Sequence, residues 1–180
     1  FDALGRVLAA DVVSSIDVPP ADNTSMDGYA VRAADVTTAG VVLPVSQRIP
    51  AGHVGVPLVE GTAARIFTGA QLPPGADAVV MQEHCEATAD AVRIDAVPVA
   101  GQWVRRRGED VRRGSTVLTC GTRLTPQALG LAAGVGAATL GVCRRPRVAL
   151  FSTGDELVMP GAVAPELLPP GAIYNSNRLT

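Results

Sequence analysis

The sequence contains no lysine, so all fifteen of its basic residues are arginines. That removes a Schiff-base lysine, a lysine general base and a P-loop lysine from the chemistry open to these 180 residues. Aromatic residues are scarce, at 3%, and the core must be assembled from small branched side chains. No apolar run reaches the ~18 residues a membrane-spanning helix needs, and no signal-peptide pattern is present, so no membrane association is expected. A net charge of −2 lacks the basic surplus that nucleic-acid binding uses. Cys85, Cys120 and Cys143 are too scattered for a disulfide framework and form no C-x-x-C motif, which points to a reducing, cytoplasmic setting. With two histidines and no nucleophile elbow, a hydrolase triad has little support. His84 and Cys85 are adjacent, so on a strand they face opposite ways and cannot chelate one zinc.

What is present is a globular composition, 47% hydrophobic and 18% charged, long enough for one ordinary domain or two small ones. Leu4, Val7, Leu8 and Val12 follow helical spacing over residues 3–12, with Asp2 as N-cap. Pro19 and Pro20 keep residues 14–20 extended. A polar turn over residues 22–28 leads into a strand at 29–32. Short apolar runs at 41–45, 64–67, 78–82, 91–97 and 115–119 are punctuated by Gly, Pro and Asp, and residues 87–90 close a hairpin between two of them. Such spacing predicts a small sandwich or barrel. Thr125 as N-cap and Pro126 at the first helical position open a helix that stops near Gly134. A strand at 139–143 and a domain boundary at Pro146 follow. Val148–Phe151 then reads as a parallel strand buried on both faces.

Four places carry candidate chemistry. Past the Val148–Phe151 run, Ser152-Thr153-Gly154-Asp155-Glu156 sets hydroxyls, a glycine and two carboxylates where open α/β sheets bind ligands. The hydroxyls and backbone N–H groups suit an anionic or pterin group, and a carboxylate suits magnesium. An acidic helix start complementing the dipole accounts for the same residues equally well. Within residues 22–29, Gly28 permits a tight turn and Asp27 is presented at a strand edge, although an ordinary Asx-type turn uses such residues more often. Thr68-Gly69 can hold an oxyanion, or simply turn the chain. The arginines of residues 104–114 could attract phosphate or molybdate, but Glu109 and Asp110 among them favour a solvated hairpin with local ion pairs. Gly134-Val135-Gly136 starts like a dinucleotide fingerprint but follows a helix and lacks the third glycine.

Taken in order, Gly5-Arg6-Val7-Leu8-Ala9, Asp17-Val18-Pro19-Pro20, Asp22-Asn23 and Met26-Asp27-Gly28-Tyr29-Ala30-Val31-Arg32 open a recognisable series. It continues through Ala64-Arg65-Ile66-Phe67-Thr68-Gly69-Ala70 and Leu72-Pro73-Pro74-Gly75-Ala76-Asp77-Ala78-Val79-Val80-Met81-Gln82-Glu83. Arg107-Gly108-Glu109-Asp110-Val111 and Ser152-Thr153-Gly154-Asp155-Glu156-Leu157 complete it. This series resembles the MoeA/gephyrin E-domain family, the molybdopterin molybdenumtransferases, from about Phe1 to Thr180.

The resemblance implies a mixed α+β, multi-domain fold. Residues 1–35 and 115–145 would form an elongated α/β N-terminal domain and residues 36–114 an inserted β-rich domain of barrel or sandwich type. Residues 146–180 would begin a parallel-sheet α/β molybdopterin-binding domain. Phe1 and Thr180 both read as cut ends. About thirty residues before Phe1, most of the α/β domain and a C-terminal β domain of the family would lie outside, leaving the fragment itself inactive. The implied reaction joins molybdate-derived molybdenum to adenylylated molybdopterin, with Mg2+, and releases AMP. By the same resemblance Asp27, Thr68, Asp110 and Glu156 belong to the catalytic cleft. Thr153, Gly154, Asp155, Asn175, Ser176 and Asn177 bind the pterin, and Asp155 and Glu156 hold the metal. A cytoplasmic homodimer, supplied by a molybdopterin-adenylyltransferase and without nucleic-acid or membrane partners, is expected. A non-catalytic scaffold module of the gephyrin E-domain type is the alternative.

Overall fold

A computed structural model describes residues 2–179; the two expected ends, Phe1 and Thr180, lie outside the described residues. Among the described residues the regular structure is mostly β, with one α-helix. It divides into two compact units, the first ending at Cys143 and the second starting at Arg144. Among the described residues no helix is long and apolar enough to cross a membrane.

In the first unit the strands are β1 (Val12–Val13), β2 (Asn23–Thr24), β3 (Gly28–Val31), β4 (Val41–Ile49) and β5 (Ala63–Ile66). They continue with β6 (Ala78–Met81), β7 (Cys85–Ala87), β8 (Ala91–Ile94), β9 (Val104–Arg105) and β10 (Thr116–Leu118). Six of them form one sheet in the order β6-β3-β5-β4-β8-β7. Of the runs expected to make a sandwich or barrel, those at 41–45, 64–67, 78–82 and 91–97 enter a single sheet with an open pairing order, while the run at 115–119 pairs with β1 instead. β3, from the segment grouped with residues 1–35, lies inside that sheet between β6 and β5. The hairpin at 87–90 joins β8 to β7, a strand the sequence pattern did not reveal, with Thr88 Oγ1 accepting from the Ala91 N–H at 3.2 Å.

Alternation of small apolar residues lets both faces of this sheet bury a core. Tyr29, Val31, Leu43, Ala63, Ala78, Val80, Val92 and Ile94 pack on one face. Ala30, Ile49, Ala64, Ile66 and Val79 pack on the other, with Leu58, Ala70 and Leu72. Leu43 and Ile49 belong to one strand and are an even number of residues apart, yet they face opposite ways. The pairing of β4 with β5 shifts between Val45 and Gln47, and the extra residue, Ser46, flips the parity of the rest of the strand.

A third cluster gathers Leu8, Val12, Leu124, Ala132 and Val135 around α1 (Pro126–Gly134). Thr125 caps α1 as expected, its hydroxyl accepting from the Ala128 N–H at 3.2 Å, with Pro126 in the first turn. The glycines read as a failed dinucleotide motif are its C-terminal cap. Gly136 has φ 87°, its N–H donates to Ala133 O and the Ala137 N–H donates to Ala132 O, a Schellman arrangement.

Residues 3–12 are not helical, contrary to their spacing. After a turn at Gly5 (φ 74°) the segment runs extended between residues 121–124 and 141–143. The Leu8 N–H donates to Thr122 O at 2.9 Å, and on the other edge Cys143 N donates to Val7 O at 2.8 Å. A lone helix this short is marginal in water, and these long-range bonds satisfy its backbone on both edges. The strand expected at 139–143 reduces to one bridge, Val142 to Leu8.

The second unit holds β11 (Leu157–Val158) and β12 (Ile173–Tyr174), paired in parallel. Val148–Phe151 is not the buried strand expected: it has no strand partner among the described residues, and Val148 and Phe151 are 80% and 83% exposed. A parallel strand becomes apolar and buried only with neighbours on both edges and cover on both faces.

Candidate functional site

Asp27 immediately precedes β3, and Gly28 explains how it is held. Gly28 is not a turn residue but a strand residue in close approach: a Cβ there would strike the Val80 backbone carbonyl of β6. The tight contact brings β3 against both neighbours and aims Asp27 at the end of β5. There Asp27 Oδ1 accepts two hydrogen bonds from Thr68, from its N–H at 2.8 Å and its hydroxyl at 2.7 Å. Those two donations, the backbone one first, together with the charge of Arg65, hold the Asp27 carboxyl below its ordinary range. Thr68-Gly69 is also a turn, with Gly69 at φ 81° and its N–H donating to Thr24 O at 2.8 Å. Turning the chain and holding a carboxylate are here the same feature.

Three residues that sequence reasoning did not single out surround this pair. Arg65 donates from Nη1 to Gly28 O at 2.9 Å and from Nη2 to Gln82 Oε1 at 2.6 Å. Its guanidinium lies 4.5 Å from the centre of the Phe67 ring and 5.2 Å from that of Tyr29. Arg48 lies over the same Phe67 ring at 4.6 Å. Arg65 and Phe67 are two residues apart in one motif, but the contacts of Arg65 with Tyr29 and of Arg48 with Phe67 cross between strands.

Asp110 belongs to different surroundings. Arg105 Nη2 donates to its Oδ2 at 2.6 Å, and Arg105 Nε donates to Glu109 Oε1 at 3.4 Å. Arg106 pairs with Asp22 at 2.7 Å and Arg107 with Asp17 at 2.6 Å. The Arg105 pairs are exposed and local, each worth about 0–1 kcal/mol, as in the solvated-hairpin reading, whereas Arg106 and Arg107 reach acids more than eighty residues earlier in the chain, contrary to that reading. Donation from the Arg113 backbone, then from the Arg107 side chain, lowers the Asp17 pKa; donation from the Arg107 backbone N–H does the same for Asp22.

In the second unit, Asp155 and Glu156 form a turn leading into β11, and no helix follows, so they do not complement a helix dipole. The Glu156 carboxylate folds back over Gly154, whose φ is 149°. Thr153 and Asp155 are exposed. Asn175 Oδ1 accepts from Ser152 Oγ and from the Asn177 N–H, each at 3.2 Å, while Asn177 Nδ2 donates to Ser152 Oγ at 3.3 Å. Ser176 opens a short 3-10 turn. The segments around 152 and 175 are thus tied together, which their separation in sequence did not reveal.

Among the described residues no three His, Cys, Asp or Glu side chains gather as a metal cluster. Asp155 and Glu156 are neighbours in sequence with no ion pair among the described residues, and carboxylates are the donor class magnesium takes when one or two of them and substrate phosphates complete its shell. The residues present fit that ion on those terms.

A family model described as MoeA N-terminal region (domain I and II) matches residues 1–136. Molybdopterin molybdenumtransferase 2 of Mycobacterium tuberculosis is 46% identical over 182 residues, covering 98% of this chain and 44% of that protein. The molybdopterin molybdenumtransferase of Haemophilus influenzae is 41% identical over 184 residues, covering 99% and 44%. The crystal structure of the molybdopterin biosynthesis MoeA protein of Pyrococcus horikoshii superposes with a TM-score of 0.88 at 36% identity, covering 99% of this chain and 48% of that one. The chain spans less than half the length of these relatives.

Proposed function

The chain belongs to the MoeA N-terminal-region family, and from that premise we propose that its protein is a molybdopterin molybdenumtransferase of molybdenum-cofactor biosynthesis. The substrates are adenylylated molybdopterin and molybdate, and AMP is released. The names of the relatives support the transferase and its pterin substrate. The observation that carries the reading is the Asp27–Thr68 pair, an ionised carboxylate held by two short bonds at a sheet end beside Arg65.

Each residue has a distinct task. Thr68 fixes the Asp27 carboxylate in one orientation, and its two donations favour the ionised form, lowering the pKa further below neutrality. Asp27 then orients cationic or hydroxyl partners of the substrate. In the second unit Asp155 and Glu156 would hold magnesium, which when bound neutralises phosphate charge and eases departure of AMP. Thr153, Gly154, Asn175, Ser176 and Asn177 receive the pterin, and Asp110 acts with the Arg105 ion pair at the edge of the cleft. The protein works as a cytoplasmic homodimer downstream of a molybdopterin-adenylyltransferase. Residues 1–35 with 115–145, 36–114 and 146–180 correspond to the elongated, inserted and pterin-binding domains.

The test is molybdenum-cofactor formation and AMP release by the full-length protein, wild type against Asp27→Asn. Misplacing an orienting group costs roughly a hundredfold, and that loss is expected without loss of folded protein. Unchanged turnover by a folded Asp27→Asn protein would overturn the assignment.

A further inference from the structure

Arg48 and Arg65 are directly opposed in the parallel pairing of β4 with β5. Both project from the face that carries Tyr29, because the extra residue at Ser46 has flipped β4; without it Arg48 would lie on the other face. Like charges placed opposite each other across strands are unfavourable. Elsewhere in the first unit the chain neutralises crowded arginines with carboxylates: Arg93 meets Glu86 and Asp95, and Arg105 meets Glu109 and Asp110. Among the described residues neither Arg48 nor Arg65 forms an ion pair with a carboxylate. Both stack on Phe67, at 4.6 and 4.5 Å, and Arg65 is held in addition by the Tyr29 ring, Gly28 O and Gln82 Oε1.

Two acids lie on the β3–β6 side of this pair. Asp27 acts on Arg65 from the β3 side, and Glu83, beyond β6, reaches the Gln82 amide at 3.4 Å. The sheet order puts β3 and then β6 on the side of β5 away from β4. Arg48 is therefore two strands, roughly 10 Å, from the Asp27 strand, about one Debye length in physiological salt. The surplus positive charge sits at Arg48. Ring stacking orients the Arg48 guanidinium without consuming its N–H donors, which remain in the fork geometry that matches a tetrahedral oxyanion, whereas Arg65 spends Nη1 on Gly28 O and Nη2 on Gln82 Oε1 and contributes its charge.

We propose that Arg48, with Arg65 and the Phe67 ring that holds both, forms a subsite for a tetrahedral oxyanion of the phosphate class next to Asp27–Thr68. This deepens the reading given under Proposed function and rests on it for the identity of the natural ligand, either the phosphate of an adenylylated substrate or molybdate. Binding itself is independent of turnover.

The experiment is NMR titration of the protein with inorganic phosphate, molybdate and AMP in turn, following the arginine Nε–H signals. The Arg48 signal is assigned by its disappearance in Arg48→Lys. Saturable shifts at Arg48 are expected, with about tenfold weaker binding in Arg48→Ala and an intermediate loss in Arg48→Lys, which keeps the charge but not the fork. Phe67→Leu should weaken binding while the fold, checked by the remaining amide signals, is retained. Mutual competition between phosphate and molybdate would support one subsite serving both, and tighter AMP binding would identify the phosphate ester as the better ligand. Unsaturable shifts, or affinities unchanged in both Arg48→Ala and Phe67→Leu, would overturn the proposal. Should the anion bind as described while Asp27→Asn turns over normally, the functional reading fails alone. Loss of turnover in Asp27→Asn with no anion binding at Arg48 refutes the subsite alone.

Discussion

Replacing Gly28 by alanine adds one methyl group at the most crowded backbone contact of the sheet. The methyl would meet the carbonyl of Val80, a residue only 3% exposed, in a strand paired with β3 along its whole length. A side chain could rotate away, but a backbone carbonyl inside a sheet cannot move without breaking the pairing of β3 with β6. Overpacking usually costs 1–3 kcal/mol, and a backbone obstacle puts this case at the upper end, about 3 kcal/mol. For a protein of this size each kcal/mol lowers Tm by roughly 2–4 °C, which gives a fall of roughly 6–12 °C. Circular-dichroism melting and urea unfolding at unchanged slope would report it. Because Asp27 is the preceding residue, its carboxyl should also lose register with Thr68 and titrate closer to the ordinary aspartate value, as carboxyl NMR shifts would show. A variant melting within about 2 °C of the parent, with Asp27 titrating as before, would refute the argument that Gly28 is there for close approach.

Two further outcomes follow from the titrating groups. Burial pushes the Cys85 thiol up to about 11, so at pH 8 Cys85 should resist a thiol reagent under native conditions and react on unfolding; rapid native labelling of Cys85, located by mass spectrometry, would contradict its burial. Asp17, Asp22 and Asp27 all have folded values below their unfolded ones, so their contribution is full above the unfolded carboxylate value near 3.9 and is lost as pH falls through the lower folded values. Denaturation midpoints should therefore fall on acidification below about pH 4, and a flat profile there would exclude these contacts as a source of acid sensitivity.

The sequence disclosed those parts of the fold that depend on local chemistry. Thr125, Pro126 and the glycine near 134 specify α1 through capping and ring geometry, and the short alternating runs around 30, 65 and 80 become strands. Residues 3–12 misled because helical spacing within ten residues is no stronger than pairing to residues more than a hundred positions away. Val148–Phe151 misled because an apolar run declares a need for cover but not who provides it. At the site, the Asp27 and Thr68 positions were legible as motifs, while their direct bond was not, since it depends on the register Gly28–Ile66 across β3 and β5. Arg48 was invisible for a stronger reason: strand alternation alone would put it on the wrong face, and only the irregularity between Val45 and Gln47 corrects the count.

Arginine supplies all of the chain's lasting positive charge, and the structure uses it in two distinct states. Along residues 105–113, carboxylates take up the guanidiniums: Asp22 receives Arg106 from its side chain and Arg107 from its backbone, and Asp17 receives the Arg107 side chain and the Arg113 backbone. These bonds fasten the segment before β3 to the segment after β9, so the charge there is spent on joining chain to chain. At the end of the sheet, Phe67 holds Arg48 and, together with Tyr29, Gly28 O and Gln82 Oε1, Arg65; these partners supply attraction but no formal negative charge. Salt should separate the two states. Exposed ion pairs weaken steeply as ionic strength rises past the point where the Debye length falls below their reach, whereas stacking on a ring also buries apolar surface and persists. Orientation without neutralisation is what an anion subsite requires, and ring-held arginines meet that requirement where carboxylate-held ones do not.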